Sequence, residues 1–268
     1  MCEQINFNLK IIMKNLFTIT SILFAGTLAA NAVDGPYLEY YESEAGGSTP
    51  ETEFFSSGDL TLYDGTYYDA KVQNANGCAL SLSFYFSKVY GLTFVGSSGF
   101  ENKFLLDGSR LGGSVKLANL KTASITASSL VSGTNISLEN SKLILENLTW
   151  DISAENLNGV ALVNLTGTNS SVQMMYVLAL NFATEAALQS MVSKSLNLLS
   201  GTASVISNFS DLKITVAGIE VGDDYWAKQS SDGKTISIFS SVPEPSMFGL
   251  LAGLCALALV GARRRRRK

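Results

Sequence analysis

Between residues 33 and 104 apolar and polar side chains alternate over short stretches, as in Leu60-Thr61-Leu62-Tyr63 and Leu80-Ser81-Leu82-Ser83-Phe84. A period of two places one set of side chains on one face of a strand. Gly58, Asp64-Gly65, Gly77, Gly91 and Gly96 punctuate these stretches at turn positions. The pattern predicts a meander of short strands, with Asp64-Gly65 as a hairpin turn. From 105 to 180 the pattern changes to short apolar triplets between Ser, Asn and Gly corners: Ser124-Ile125-Thr126, Asn135-Ile136-Ser137-Leu138, Lys142-Leu143-Ile144-Leu145 and Val160-Ala161-Leu162-Val163. Ile125, Leu145 and Leu165 follow one another at equal intervals. A recurring apolar rung predicts stacked coils of a parallel β-helix, with a β-sandwich as the competing arrangement. The period lengthens once. Thr184 can cap a helix, Glu185 sits in its first turn, and Leu188, Met191, Val192, Leu196 and Leu199 recur at helical spacing up to Gly201. That helix, near 184–200, is expected to cover the core. Strands over Leu212–Ala217, Tyr225–Lys228 and Lys234–Phe239 follow, with Asp232-Gly233 turning a closing hairpin that leads straight into Val242. The expected fold class is mainly β: a β-helix-like or β-sandwich body with one amphipathic helix.

Both ends of the sequence depart from this pattern. Lys14 opens a basic segment, Leu16–Leu28 is largely apolar, and Ala30-Asn31-Ala32 is a small-x-small cleavage site, so Val33 starts the mature chain. Residues 1–32 therefore read as a secretory signal peptide whose initiator is Met13. At the other end, Ser246–Ala262 is an uncharged apolar run of 17 residues, near the lower limit for a helix that crosses a bilayer, roughly 17–25 residues. Arg263, Arg264, Arg265, Arg266, Arg267 and Lys268 follow it. Cations flanking a span resist translocation, so this tail is expected on the cytoplasmic side. Pro243 and Pro245 fix φ and disfavour helix just before the span. They leave an extended peptide with the Glu244 carboxylate at the outer membrane face.

In that order, Pro243-Glu244-Pro245, the transmembrane helix 246–262 and the arginine cluster resemble the PEP-CTERM sorting signal of exosortase-bearing Gram-negative bacteria. The resemblance covers residues 242–268. It implies that Pro243, Glu244 and Pro245 are the sorting motif, recognised by exosortase, a multi-spanning membrane cysteine protease that processes or transfers its substrates. It further implies export, anchoring in the inner membrane, and a destination at the cell surface or in the extracellular matrix, in a family associated with exopolysaccharide. A plain tail anchor with a coincidental Pro-Glu-Pro is the alternative.

Charge changes the picture of the exported part. The whole chain is at −4, but eight of its 19 cations lie in residues 1–32 and 263–268, against one of its 23 acids. The segment between carries 22 acids and 11 cations, a net charge near −11. Such a surface repels nucleic acid, which is excluded as a partner. Cys78 is the one cysteine of the exported part, since Cys2 lies in the leader and Cys255 in the span. No intrachain disulfide is possible there, and Cys78 is expected as a small buried residue. Histidine is absent. Ser-His-Asp and Cys-His pairs and His-containing zinc sites are therefore ruled out. No cofactor and no metal are expected.

The exported part divides into an aromatic-rich β region, 33–104, holding 15 of the 26 aromatic residues, and a Ser/Asn-rich β body, 105–241. Within these, Asp59, Asp64 and Asp69 at regular spacing could ligate calcium, but turn and cap aspartates are the better reading. Asp223-Asp224 beside Tyr225-Trp226 could form a carboxylate and a stacking platform for sugar; a loop entering a strand with a core tryptophan is preferred. The triplets at Asn135, Asn147, Asn164, Asn169 and Asn208 are expected at exposed corners. Three functions stay open: a non-enzymatic surface protein with a structural or adhesive role in an extracellular polysaccharide matrix, a glycan-binding or carbohydrate-active module, and a plain single-span membrane protein.

Overall fold

In a computed structural model of the chain, the structure describes residues 35–44, 49–74, 77–167, 169–202 and 204–241. The expected signal peptide with Ala30, Ala32 and Val33, and the tail from Val242 to Lys268, lie outside them. Among the described residues the fold is mainly β. An 18-stranded sheet wraps around one core into a nearly closed, barrel-like tube.

Its ladder is built by parallel pairing between strands of successive coils, so the chain winds rather than meanders. One face stacks β3 (Asp59–Tyr63), β5 (Ser81–Tyr85), β7 (Lys103–Asp107), β9 (Thr122–Thr126) and the first halves of β12 (Lys142–Asp151) and β14 (Ser171–Phe182), with β17 (Ser204–Ser207) last. A second face stacks β4 (Thr66–Gln73), β6 (Lys88–Val95), β8 (Arg110–Ala118) and β10 (Ser129–Leu130). It continues through the second halves of β12 and β14 to β18 (Asp211–Val216). The ends of β4, β6 and β8 run on into a third face with β11 (Asn135–Glu139), β13 (Val163–Thr166) and β16 (Leu199–Gly201). This is the connectivity of a parallel β-helix; a β-sandwich would need antiparallel hairpins in their place. The first face carries the column Leu62, Phe84, Leu106, Ile125, Leu145 and Met174, in register from coil to coil. All but Leu62 are fully buried. Burying each such side chain stabilises by about 1.5–3 kcal/mol. The interval from Ile125 to Leu145 is thus a coil repeat. Leu165 lies on another face, paired with Leu138, because the fifth coil is lengthened by a helical excursion.

The Asp64-Gly65 hairpin does not form. β3 and β4 flank it without pairing to each other; it is one corner of the coil. Asp64, Phe86, Gly108, Ala127, Asn147 and Tyr176 stack at this corner, all left-handed, with φ between 48° and 59°. A single left-handed residue between extended segments bends the chain sharply. A non-glycine residue there costs roughly 1–2 kcal/mol. The bend keeps the ladder intact: Asp64, Phe86, Gly108 and Ala127 each donate their N–H to a carbonyl of the next coil at 2.9–3.1 Å. Inside the corner Ser87 and Ser109 donate N–H groups to the hydroxyls of Ser109 and Ser128, at 3.0 and 3.1 Å. The three hydroxyls in turn donate to the carbonyls of Tyr85, Asp107 and Thr126. These buried polar groups are thereby satisfied.

Two helices occur among the described residues. α1 (Ala154–Leu157) is a single turn capped by Ser153, and sequence periodicity did not reveal it. α2 (Glu185–Met191) starts where expected, with the Ala187 N–H donating to Thr184 Oγ1 at 3.2 Å, and buries Leu188 and Met191. It stops well short of residue 200. Ser193 turns left-handed, φ 65°, and the chain re-enters strands at β15 (Ser195–Asn197) and β16. Leu196 is buried against Ile236 of an antiparallel sheet, and Leu199 sits beside Val163. Open strand edges there supply ladder bonds that outweigh the helical periodicity.

The tube has a cover at each end. β1 (Tyr37–Tyr41) and β2 (Glu51–Phe54) form an antiparallel pair, and β1 adds antiparallel to β4. At the other end β19 (Ile219–Glu220) folds back on β18. β20 (Tyr225–Gln229) and β21 (Thr235–Ser240) form the expected closing hairpin, joined by β15 into a three-stranded sheet.

Candidate functional site

The closing hairpin fixes Ser241, the last of the described residues before the expected sorting motif. β21 is the central strand of its sheet, with Ile236 and Ile238 buried on the inner face. The turn before it is tied by Asp232, whose carboxylate accepts from Ser230 Oγ and from the Lys234 N–H. Those two bonds hold its carboxyl below the usual range. Past the strand, the Ser241 N–H donates to the Asp224 carbonyl at 2.9 Å, and Ser241 Oγ lies 3.4 Å from the Asp224 carboxylate. Asp224 therefore holds Ser241, the residue that precedes Val242-Pro243-Glu244-Pro245 in the chain. Trp226 is not a core residue. It is 48 % exposed and stacks on Phe239 at 5.7 Å, because β20 turns it outward. The core tryptophan is Trp150, fully buried.

A second constellation lies on the first two coils. Tyr63 stacks on Tyr85 at 5.2 Å, and Tyr68 on Tyr90 at 5.1 Å. Each pair joins successive coils in register. Alternation turns them outward while Phe84, Phe94 and Phe104 point into the core. Beside the Tyr68–Tyr90 stack runs a groove of about 550 Å³ lined by Glu44, Asp69, Gly91, Gly113 and Ser114 as well. Two glycines leave its floor open, two carboxylates supply hydrogen-bond acceptors, and the tyrosines supply ring surface and hydroxyls. Neither Tyr90 nor Glu44 stood out in the sequence. The equal spacing of the two tyrosine pairs was the signal that could have placed Tyr90. Glu44 reaches the groove through the β1–β2 connection and left no such trace.

Asp59, Asp64 and Asp69 do not converge. Their spacing matches the length of one face, so Asp59 sits at the start of β3 while Asp64 and Asp69 occupy successive corners, both left-handed. Asp64 and Asp69 are corner aspartates and Asp59 opens a strand; no group of metal-ligating side chains occurs among the described residues. Cys78 is half-buried rather than buried, with its N–H and Sγ both near Asn74 Oδ1, at 3.4 and 3.6 Å. Asn135 and Asn164 are not free corners either; they bond to each other at 3.0 Å in a ladder along the third face. At the acidic end, burial first and then Glu53 push the Tyr40 hydroxyl up to about 12, and burial raises its edge-on neighbour Tyr67.

Fold and chain order together define a coiled β body followed in sequence by a distinct C-terminal segment. That segment, residues 241–267, matches the PEP-CTERM protein-sorting motif. The chain thus carries the sorting signal of an exported, membrane-associated substrate of exosortase, about a tenth of its length. No curated protein and no solved structure matches the chain. Among the described residues no helix is long and apolar enough to cross a membrane; Ser246–Ala262 lies outside them.

Proposed function

We propose that this is a non-enzymatic protein that exosortase delivers from the inner membrane to the cell surface or extracellular matrix, where its β body has a structural and adhesive role in polysaccharide. The groove beside Tyr68 and Tyr90 carries this reading. Sugar rings present apolar C–H faces that pack on aromatic rings and hydroxyls that bond carboxylates. The Glu44 and Asp69 carboxylates, on a body near −11, repel acidic polymers. The ligand class is therefore a neutral polysaccharide. A regular tube whose stacked coils each bury a side-chain column supports the structural part of the role, since repeats of this kind give rigid, elongated bodies.

The test is binding of neutral and acidic polysaccharides to the purified chain by calorimetry, with Tyr90→Ala as the variant. Loss of one aromatic contact, at roughly 1–1.5 kcal/mol, should weaken neutral-glycan binding about 5- to 13-fold with an unchanged circular dichroism spectrum. Equal affinity in the variant, or a preference for acidic polymers, would overturn the assignment.

A further inference from the structure

The three-stranded closing sheet has an outer face that the sorting reading does not use. By strand alternation Trp226, Lys228, Ser237 and Phe239 point away from buried Ile236 and Ile238. Trp226 and Phe239 are directly opposed across the hairpin and stacked, 48 % and 37 % exposed. None of β15, β20 and β21 contains a carboxylate, although acids outnumber cations two to one in the exported part. Lys228 is the exposed cation of this face; Asp223, Asp224 and Asp232 lie in the flanking loops, and Lys234 Nζ donates to the Gly201 carbonyl at 3.0 Å. An exposed, stacked aromatic pair with a lysine beside it, on strands that carry no acid of their own, is the composition that settles in the headgroup layer of a bilayer, where an indole has its ring in apolar surroundings and its N–H in water.

Chain length brings a bilayer to this face. Only Val242–Pro245 separates Ser241 from the apolar run that begins at Ser246. Even fully extended, the five steps from Ser241 to Ser246 span about 17 Å. The link to the span therefore starts just past Phe239. So short a tether gives an effective concentration in the millimolar range, so even a weak surface contact is populated.

We propose that, before sorting, this face docks on the phospholipid surface that takes the tail, with Trp226 and Phe239 in the headgroup layer and Lys228 at an anionic phosphate. The body would then be held at a set orientation, with Pro243-Glu244-Pro245 at the membrane surface. This rests on the reading of Ser246–Ala262 as a membrane span. The chain has two tryptophans, and the other, Trp150, is fully buried, so indole fluorescence reports the contact. The full chain is reconstituted in vesicles of phosphatidylethanolamine and phosphatidylglycerol, with and without lipids brominated near the headgroup. We expect blue-shifted Trp226 emission that bromolipid quenches by at least about two-fold, as for an interfacial indole. Trp226→Phe should leave only unquenched Trp150 emission. Phe239→Ala should lower the quenching while the protein still floats with the vesicles. A chain that floats but keeps Trp226 unquenched overturns the docking alone, as does quenching that Phe239→Ala leaves unchanged. A chain that fails to float overturns the span and the docking together.

Discussion

Gly201 offers a clean measure of how tightly the coils are stacked. It ends β16, pairs with Leu165 of the preceding coil, and has φ +88°. A Cβ there would overlap the Leu165 carbonyl oxygen, a backbone atom that cannot rotate aside. Gly99 has nearly the same dihedral, φ +87°, with nothing within 4 Å of its would-be Cβ. Gly99→Ala therefore isolates the backbone term, roughly 1–2 kcal/mol for an L residue in left-handed territory. Gly201→Ala adds the overpacking term, typically about 1–3 kcal/mol. The total is about 2–5 kcal/mol, or roughly 4–20 °C in Tm for a body of this size. Thermal and urea unfolding of both variants, followed by far-ultraviolet circular dichroism, gives the two costs. The difference between them is the quantity that matters, because it cancels the dihedral contribution. If the two variants lose the same stability, the third-face ladder is looser than the Leu165–Gly201 contact indicates, and the steric reasoning fails.

Alkaline titration should show Tyr40 as a late-ionising phenol. Its folded value near 12 lies above the unfolded value near 10, so the stability it lends is complete below pH 10 and lost as pH rises towards 12. The loss is about 2–3 kcal/mol. Tyr40→Phe should remove that part of the alkaline unfolding; an unchanged pH profile would refute the assignment. For the sorting motif, mass spectrometry of surface-released protein should find a C-terminus without Arg263–Lys268, and Glu244→Ala should retain the whole tail in the membrane fraction. Recovery of wild-type protein at the surface with Arg263–Lys268 attached would refute sorting through Pro243-Glu244-Pro245.

Local pattern carried the mainly β class, the Thr184 cap, the closing hairpin and the sorting tail. Each depends on residues close together in the chain: an alternation, a cap within one turn, an Asp-Gly pair in a loop, a proline pair before an apolar run. The same logic misassigned Asp64-Gly65, since a left-handed residue serves a hairpin and a coil corner equally well. It also ran α2 through Leu196 and Leu199, whose helical spacing is real but whose partners, Ile236 and Val163, lie far along the chain in opposite directions.

The direction of strand pairing was decided only in three dimensions. Alternation is identical in a meander and in a coil; the choice rests on whether Leu62 meets Phe84 in parallel, a contact between successive coils. The groove is likewise a product of stacking, because Glu44, Asp69 and Tyr90 come from three separate segments that meet at one corner of the tube. The outward turn of Trp226 depended on which side of β20 faced the core, a choice that the register with β21 made. The tail was legible from sequence alone because its parts act in chain order, whereas the body's surfaces exist only once the coils are stacked.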